Sequence, residues 1–264
     1  MPLSLTELKR YSRQLILPNF GAREQRRLKN ARVVVTGAGG IGCPVLLNLA
    51  ASGVGSITII DSDSIDLTNL NRQFLFTPAD VGRPKAVVAA ERIRAFNPDI
   101  EVRPVVKVID YSNAFDLLKG FDAIIDGTDN FAARYAINDA AVLNRTPLFH
   151  AAVLQYEGRV FTVIPGKSAC LRCAFPVIPP KGSIPTCREA GVLGSVISVL
   201  AGIQATEAIK HLAGQGARLT DRMLVFDGRT MSFDEFRFRR RRECSACGQK
   251  GFTSSPVYQE VCDI

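Results

Sequence analysis

Three apolar residues in a row, Val33 to Val35, open the most patterned stretch of the chain. A continuous β-branched run suits a strand buried on both faces of a parallel sheet. Gly37, Gly39 and Gly42 follow in G-x-G-x-x-G spacing, with Gly40 as an extra glycine. Small and apolar residues then recur at helical spacing, and Ser56 to Ile60 make a second strand running into Asp61. Strand, glycine turn, helix, strand and terminal acid form a dinucleotide-binding βαβ unit. The glycines permit the tight turn and let a phosphate approach N–H groups at the helix N-terminus. Asp61 stands where an acid can accept hydrogen bonds from ribose hydroxyls. Glycine turns are common in themselves. The placement between two strands, with the acid at the right distance, points to a nucleotide without saying which one.

The same alternation of patterns continues. Residues 5–30 are helical in character and basic, and Arg10 and Arg13, three apart, are expected on one helix face. The polar stretch Asp63 to Arg83 carries Asn69, Asn71, Arg72 and Gln73 near the end of the second strand, the edge where open α/β sheets bind ligands. A helical stripe of Val87, Val88, Ala90, Ile93 and Phe96 follows Pro84 and stops at Asn97-Pro98. Lys85 at that helix start opposes the helix dipole unless an anion lies nearby, which favours a phosphate contact. Strands are expected at Ile100–Val106 and Phe121–Asp126, with a short helix at Asn113–Lys119 between them. Asp126 and Asp129 bracket the latter strand's end, with Asn130 next. Two carboxylates there can serve as a cap for the helix Phe131–Leu143 or as a metal site. A strand pair, Thr146–Val153 and Gly158–Ile164, should turn at Glu157-Gly158. A helix from Gly194 to Leu212 and strands at Met223–Phe226 and Ser232–Phe238 complete the pattern. The fold class is therefore α/β, with a largely parallel central sheet of Rossmann type and antiparallel C-terminal strands. One domain over residues 1–248, with residues 1–30 as a helical arm, and a polar tail at 249–264 fit best.

Bulk numbers narrow the reading a little. The chain has 264 residues, 47% hydrophobic and 22% charged, which supports a sizeable core and excludes a disordered chain. Its net charge of +8 suits an anionic substrate, an acidic partner or nucleic acid. The N-terminus lacks an apolar signal region, and Gly191 to Ala205 is too short to span a bilayer, so a cytoplasmic protein is expected.

Seven cysteines without a signal peptide argue for metal or thiol chemistry rather than a disulfide framework. Cys170 and Cys173 form one C-x-x-C, and Cys244 and Cys247 another. Two such knuckles are the ligand set of a tetrahedral structural zinc site. A redox-active pair or unrelated core cysteines are the rivals, although polar loops around both pairs speak against plain apolar burial. Cys187, beside Arg188, is either an activated thiol or an ordinary loop cysteine. Cys43 reads as a packing residue and Cys262 as incidental. His150 and His211 are too few and scattered for a histidine site, and His150 reads as structural.

RYSRQ at 10–14, GAGGIG at 37–42, NLNRQF at 69–74, GRPK at 82–85, DGTDN at 126–130, the two C-x-x-C pairs and TCREAG at 186–191 occur in this order. Over residues 5 to 248 this set resembles the ThiF/MoeB/HesA family of E1-like enzymes. The resemblance implies ATP-dependent adenylation of the C-terminal glycine of a small ubiquitin-like sulfur-carrier protein, with pyrophosphate released. By the same resemblance Gly37, Gly39, Gly40 and Gly42 lie under the phosphates and Asp61 binds ribose. Asn69, Asn71, Arg72 and Lys85 contact the nucleotide, and Asp129, with Asn130 beside it, holds Mg²⁺. Arg13 would reach into the ATP site of a partner in a homodimer. Cys170, Cys173, Cys244 and Cys247 match zinc ligands, and Cys187 matches a cysteine that some members use covalently. A separate sulfur donor is expected, since the chain ends soon after Cys247.

A nicotinamide-dependent dehydrogenase shares the glycine turn and the acid, but leaves NLNRQ, Lys85, DGTDN and four cysteines unexplained. A scaffold or RNA-binding module would rely on Arg237–Arg242. Arginine runs are usually solvated faces, so neither nucleic acid nor membrane is expected as a partner.

Overall fold

The computed structural model describes residues 2–180, 187–249 and 251, apart from the side chains of Cys187 and Arg188. Eight strands form one sheet: β1 (Arg32–Thr36), β2 (Ser56–Ile60), β3 (Glu101–Val105), β4 (Ala123–Asp126), β5 (Leu148–Leu154), β6 (Glu157–Val163), β7 (Arg222–Asp227) and β8 (Ser232–Arg237). Their order is β3-β2-β1-β4-β5-β6-β7-β8. The first five are parallel and the last three are added antiparallel, as the sequence pattern predicts. Helices are α1 (Leu5–Arg10), α2 (Ser12–Leu15), α3 (Ala22–Asn30), α4 (Gly42–Ala51), α5 (Lys85–Phe96), α6 (Ala114–Leu117), α7 (Phe131–Asn144), α8 (Leu171–Ala174), α9 (Cys187–Ala190) and α10 (Gly194–Ala213).

Strand periodicity divides the apolar residues between two cores. Val33, Val35, Ile57, Ile59 and Ile125 face the layer that contains α4, α5 and α10. Val34, Ile60 and Ile124 face the opposite layer, built on α7 and the two cysteine pairs. Each such side chain, taken fully out of water, contributes roughly 1.5–3 kcal/mol. That explains the unbroken apolar runs Val33–Val35 in β1 and Ala123–Ile125 in β4. α10 is apolar along most of its length, yet two buried polar side chains interrupt it. Gln204 donates through Nε2 to the carbonyls of Asp126 and Phe149, both at 2.8 Å. Glu207 accepts from Thr162 Oγ1 at 2.9 Å and from the Leu219 N–H.

Two local expectations change. The N-terminal arm is not one helix: Tyr11 separates α1 from α2. Arg10 turns to Asp99, 3.4 Å away, while Arg13 is exposed on the next helix. The β5–β6 hairpin turns at Gln155–Tyr156, two residues earlier than expected, because Gln155 takes the left-handed φ of 54°. Tyr11 is also what docks the arm. Its hydroxyl accepts from Asn97 Nδ2 at 3.0 Å, and the same amide donates to the Ala50 carbonyl at 2.7 Å. Asn97 thus ends α5 and ties it to α1, α2 and α4. Removing a buried partner leaves the others unsatisfied, at a cost of about 1–3 kcal/mol. Asn97→Ala should lower the unfolding free energy by about that much in urea titrations, without change in slope.

Candidate active site at the switch point of the sheet

Strand order reverses between β1 and β4, and in open α/β sheets a ligand crevice forms outside the strand ends at such a point. A cleft lies there, between the tips of β1, β2 and β4. Gly37, Gly39 and Gly40 form its floor. Gly37 has φ 89°, and a Cβ on it would meet the Gly127 carbonyl oxygen at 2.8 Å. Gly42 is excluded from carrying a side chain for another reason. Its Cβ would fall 1.9 Å from the Gly37 carbonyl oxygen, so it allows α4 to start tight against the turn. Gly42 does not line the cleft, whereas the other three glycines do.

Asp61 stands at the end of β2 and lines the cleft. One carboxylate oxygen accepts the Ala38 N–H at 2.7 Å and the other the Asp63 N–H at 2.8 Å. Each oxygen keeps a further lone pair for a hydroxyl donor. Burial raises its carboxyl above the ordinary value, against those two N–H groups and Lys85. Lys85, the first residue of α5, is buried and pairs with Asp63 at 2.9 Å. The anion that its unfavourable helix position calls for is therefore in part a carboxylate of the chain itself. Asp63 was the signal missed in the sequence, although it stands beside Asp61. Arg72 lines the same cleft, held by the Thr68 carbonyl at 2.9 Å and Asn71 Oδ1 at 3.0 Å. Asn69 and Asn71 stand behind it and do not line the cleft. Asn69 is buried and caps a turn of 3₁₀-helix at Leu67–Asn69, while Asn71 steadies Arg72. Arg13 is remote from this cleft in its own chain.

The two carboxylates at the tip of β4 have separate roles. Asp126 is fully buried. Its Oδ1 accepts the Thr128 N–H and hydroxyl, at 3.0 and 2.6 Å, and its Oδ2 lies 2.7 Å from His150 Nδ1. Burial opposes ionisation of Asp126, but the His150 contact, Arg134 and Thr128 outweigh it and hold the carboxyl below its ordinary value. Burial likewise keeps His150 below its ordinary value, against the pull of Asp126. The pair is thus a carboxylate with a neutral imidazole whose Nδ1–H donates. Asp126 is sealed from solvent and does not line the cleft, so it is not placed to hold a metal there. Asp129 is exposed in the cleft with no hydrogen bond to its carboxylate among the described residues. Neither acid caps α7. Asn130 does, accepting the Ala133 N–H at 2.9 Å, because its amide oxygen reaches the first turn from the N-cap position. Lys107 and Arg134 also line the cleft, and neither carries a sequence pattern that marks it.

The four cysteines of the two knuckles converge, with all four Sγ atoms within 4.8 Å of one another. Cys170 and Cys244 are 3.6 Å apart and Cys173 and Cys247 3.4 Å. Thiolates about 2.3 Å from a tetrahedral zinc lie about 3.8 Å apart, so the donor set fits that ion. All four are buried within the α7-side core, where the knuckles fold inward under α7, as one converging cluster rather than as separate packing residues. The arginines of the run, Arg237 and Arg239–Arg242, are all solvent-exposed, and two of them also contact the knuckles. Arg240 donates to the Cys247 carbonyl, and the Arg241 N–H points at Cys173 Sγ, 3.4 Å away. Cys43 is a packing residue whose thiol meets the Ala38 carbonyl at 3.3 Å. Cys187 begins α9, but its side chain lies outside the described residues, as does all of Cys262.

A glycine-floored crevice at a switch point, with an acid at the second strand's end, defines a Rossmann-type nucleotide-handling α/β protein. The chain belongs to the ThiF family, which it matches over residues 11–247. It is 42% identical to the Thermus thermophilus protein named sulfur carrier protein adenylyltransferase, over 97% of this chain and 95% of that one. It is 41% identical to the Haloferax volcanii SAMP-activating enzyme E1, over 100% and 98% of the two chains. A Mycobacterium tuberculosis protein named probable adenylyltransferase/sulfurtransferase MoeZ is 47% identical, and there the chain covers only 62% of the relative's length. The E. coli MccB crystal structure with MccA-N7isoASN superposes with a TM-score of 0.81 at 28% identity, over 90% of this chain and 75% of that one. The enzyme class is adenylyltransferase, which implies ATP and displaces the dehydrogenase alternative. Among the described residues no helix is long and apolar enough to cross a membrane.

Buried His150 and half-buried His211 give the fold a pH dependence. Burial, and the charge of Arg218, push His211 down to about 4, in the same direction as His150. The unfolded chain takes up protons on both rings below about pH 6.5, while the folded chain resists. Stability should therefore be greatest above about pH 7 and fall as pH drops toward 5. Urea midpoints measured across that range should decline, and less steeply in His211→Asn.

Proposed function

We propose that the protein adenylates the C-terminal glycine of a small, Gly-Gly-ending, ubiquitin-like sulfur carrier of the ThiS/MoaD type, ahead of sulfur transfer from a separate donor. The observation that carries the reading is the unpartnered Asp129 facing Arg72, Lys85 and the glycine floor across one cleft. The names of the Thermus and Haloferax relatives agree with it, as does the crystallisation of MccB together with MccA-N7isoASN. Residues 1–248 form the adenylating unit, a cytoplasmic homodimer in which Arg13 completes the partner's site.

In the reaction a carboxylate oxygen of the terminal glycine attacks the α-phosphorus of ATP. The α–β phosphoanhydride bond breaks, its electrons leave with pyrophosphate, and the carrier is left joined to AMP as a mixed anhydride. No general base is required, because the glycine carboxylate is already ionised. Both reactants are anions, so the work falls to fixed positive charge. Gly37, Gly39 and Gly40 open the backbone N–H groups of the turn to the phosphates. Arg72, Lys85 and the partner-directed Arg13 neutralise the charge that develops. Asp61 holds the ribose and Asn130 lines the wall, while Asn69 and Asn71 support Arg72 from behind. Mg²⁺ held by Asp129 would supply further charge neutralisation on the phosphates. Zinc held by Cys170, Cys173, Cys244 and Cys247 would be structural, since its four ligands leave no open position. Cys187 belongs to the later sulfur-transfer step.

Protein purified without added zinc should contain about one equivalent per chain. Cys244→Ser should lower its thermal midpoint far more than its affinity for ATP. A disulfide in either knuckle, and no metal, would rule out the zinc assignment.

With ATP, Mg²⁺ and a Gly-Gly-ending carrier, the enzyme should exchange labelled pyrophosphate into ATP. Asp129→Ala should abolish the exchange, and Cys187→Ala should leave it nearly intact. Wild-type exchange rates in a folded Asp129→Ala enzyme would overturn the role given to that carboxylate.

A further inference from the structure

Arg134 lines the cleft on the wall away from Asp61, and Arg159 directly follows Gly158, the hairpin partner of cleft-lining Val153. Arg134, on α7, is 9% exposed. It donates through Nε and Nη2 to the Thr128 carbonyl, at 3.2 and 2.8 Å, and lies over the Phe131 ring at 5.7 Å. Arg159 is half-buried on β6, opposite Ala152 in the hairpin, and its guanidinium lies over the Phe175 ring at 5.0 Å. Among the described residues neither forms an ion pair. Burial and then the charge of Arg134 drive the Arg159 guanidinium below its ordinary value, while exposed Glu157 attracts it only from a distance. Both also bear on His150, which stays neutral and so offers no compensation.

Arginine is seldom buried unless paired, and two that repel each other leave a place for an anion. The reaction brings two anions to the cleft. The ATP phosphates belong at the glycine turn, near Arg72 and Lys85. The other anion is the carboxylate that attacks, and it must arrive from a side that the nucleotide does not fill. With ribose at Asp61 on the tip of β2, the open side is that of β4, β5 and β6, where Arg134 stands and where Arg159 sits one residue from the partner of cleft-lining Val153. We infer that Arg134 and Arg159 receive the carrier's C-terminal segment, Arg134 holding the glycine carboxylate beside the Thr128–Asp129 loop and Arg159 the carbonyl oxygens just before it. The Thr128 contact ties Arg134, on α7, to the loop that carries Asp129, so the attacking group is positioned relative to the phosphates. This rests on the adenylation reading and adds to it the residues that recognise the second substrate.

The test is steady-state pyrophosphate exchange with a small ubiquitin-like protein ending in Gly-Gly, together with the same protein amidated at its C-terminus as a competitor. Arg134→Met and Arg159→Met should each raise KM for the carrier about tenfold or more, as loss of a charge-assisted hydrogen bond does. KM for ATP should stay within about twofold, and Arg159→Lys should recover part of the loss. The amidated carrier should compete with the wild type at least about tenfold more weakly than the acid form binds. A rise in KM for ATP in place of that for the carrier would assign the pair to the nucleotide and overturn the inference. So would unchanged carrier KM in both variants, or an amidated carrier that competes as well as the acid form. Absence of exchange in the wild type with every Gly-Gly carrier would instead overturn the adenylation reading itself, and the inference with it.

Discussion

A carboxylate sealed from solvent, Asp126, fixes the geometry at the switch point. It can remain ionised there only because His150, Thr128 and the charge of Arg134 outweigh the cost of its burial. Each of those contacts also constrains a different element. Thr128 binds both through its N–H and its hydroxyl, which forces the chain after β4 into a tight turn and delivers Asp129 outward. His150 lies on β5, so the same carboxylate joins two adjacent parallel strands at their C-terminal ends. Gln204 reaches from α10 to the carbonyls of Asp126 and Phe149, which ties the helix layer to the same point. The acid that looks like a second metal ligand in the sequence is the one that makes the exposed acid available.

The four-cysteine cluster has a comparable organising role on the opposite layer. Its two knuckles come from segments more than seventy positions apart and close under α7. Two polar residues of that helix take hold of the first knuckle. Asn138 Oδ1 accepts the Leu171 N–H at 2.9 Å, and Asp139 receives the Arg172 guanidinium at 2.7 and 2.8 Å. The helix capped by Asn130 at the cleft is therefore also the helix to which the cysteine cluster is attached. Through α7 the position of the Asp129 loop depends on a cluster on the opposite layer of the sheet.

Much of this was legible in the sequence where local pattern and tertiary demand coincide. The run Val33–Val35, the glycine spacing and the apolar strand before Asp61 each describe a βαβ unit, and the sheet agrees with all of them. The two C-x-x-C pairs signal a common centre because thiolate spacing is itself geometric. What could not be read depends on partners distant in the chain. Asp126 and Asp129 look equivalent in DGTDN, and only the approach of His150 from β5 separates them. Lys85 at a helix start implied an anion, but not that Asp63 is part of it. The polar loops around the cysteines argue against plain apolar packing, but which helix covers the cluster depends on α7, far away in the chain. Arg159 has no motif at all, since its meaning comes from a neighbour on another element.

The distribution of charge around the cleft has a direct bearing on the order of its demands. Lys85 is already half-satisfied by Asp63, and Arg72 by carbonyl and amide oxygens, so neither imposes an unpaired charge on the empty cleft. A polyanion can displace such soft partners and gains a preformed set of donors. On the far wall Arg134 is likewise kept by the Thr128 carbonyl, and its neighbour Arg159 rests on an aromatic face instead of a carboxylate. A carboxylate in either place would have lowered the charge offered to a second anion. The site thus confines its acids to positions where they bind N–H groups, a lysine or His150, apart from Asp129. That single exception is the one cleft carboxylate with no hydrogen-bond partner among the described residues.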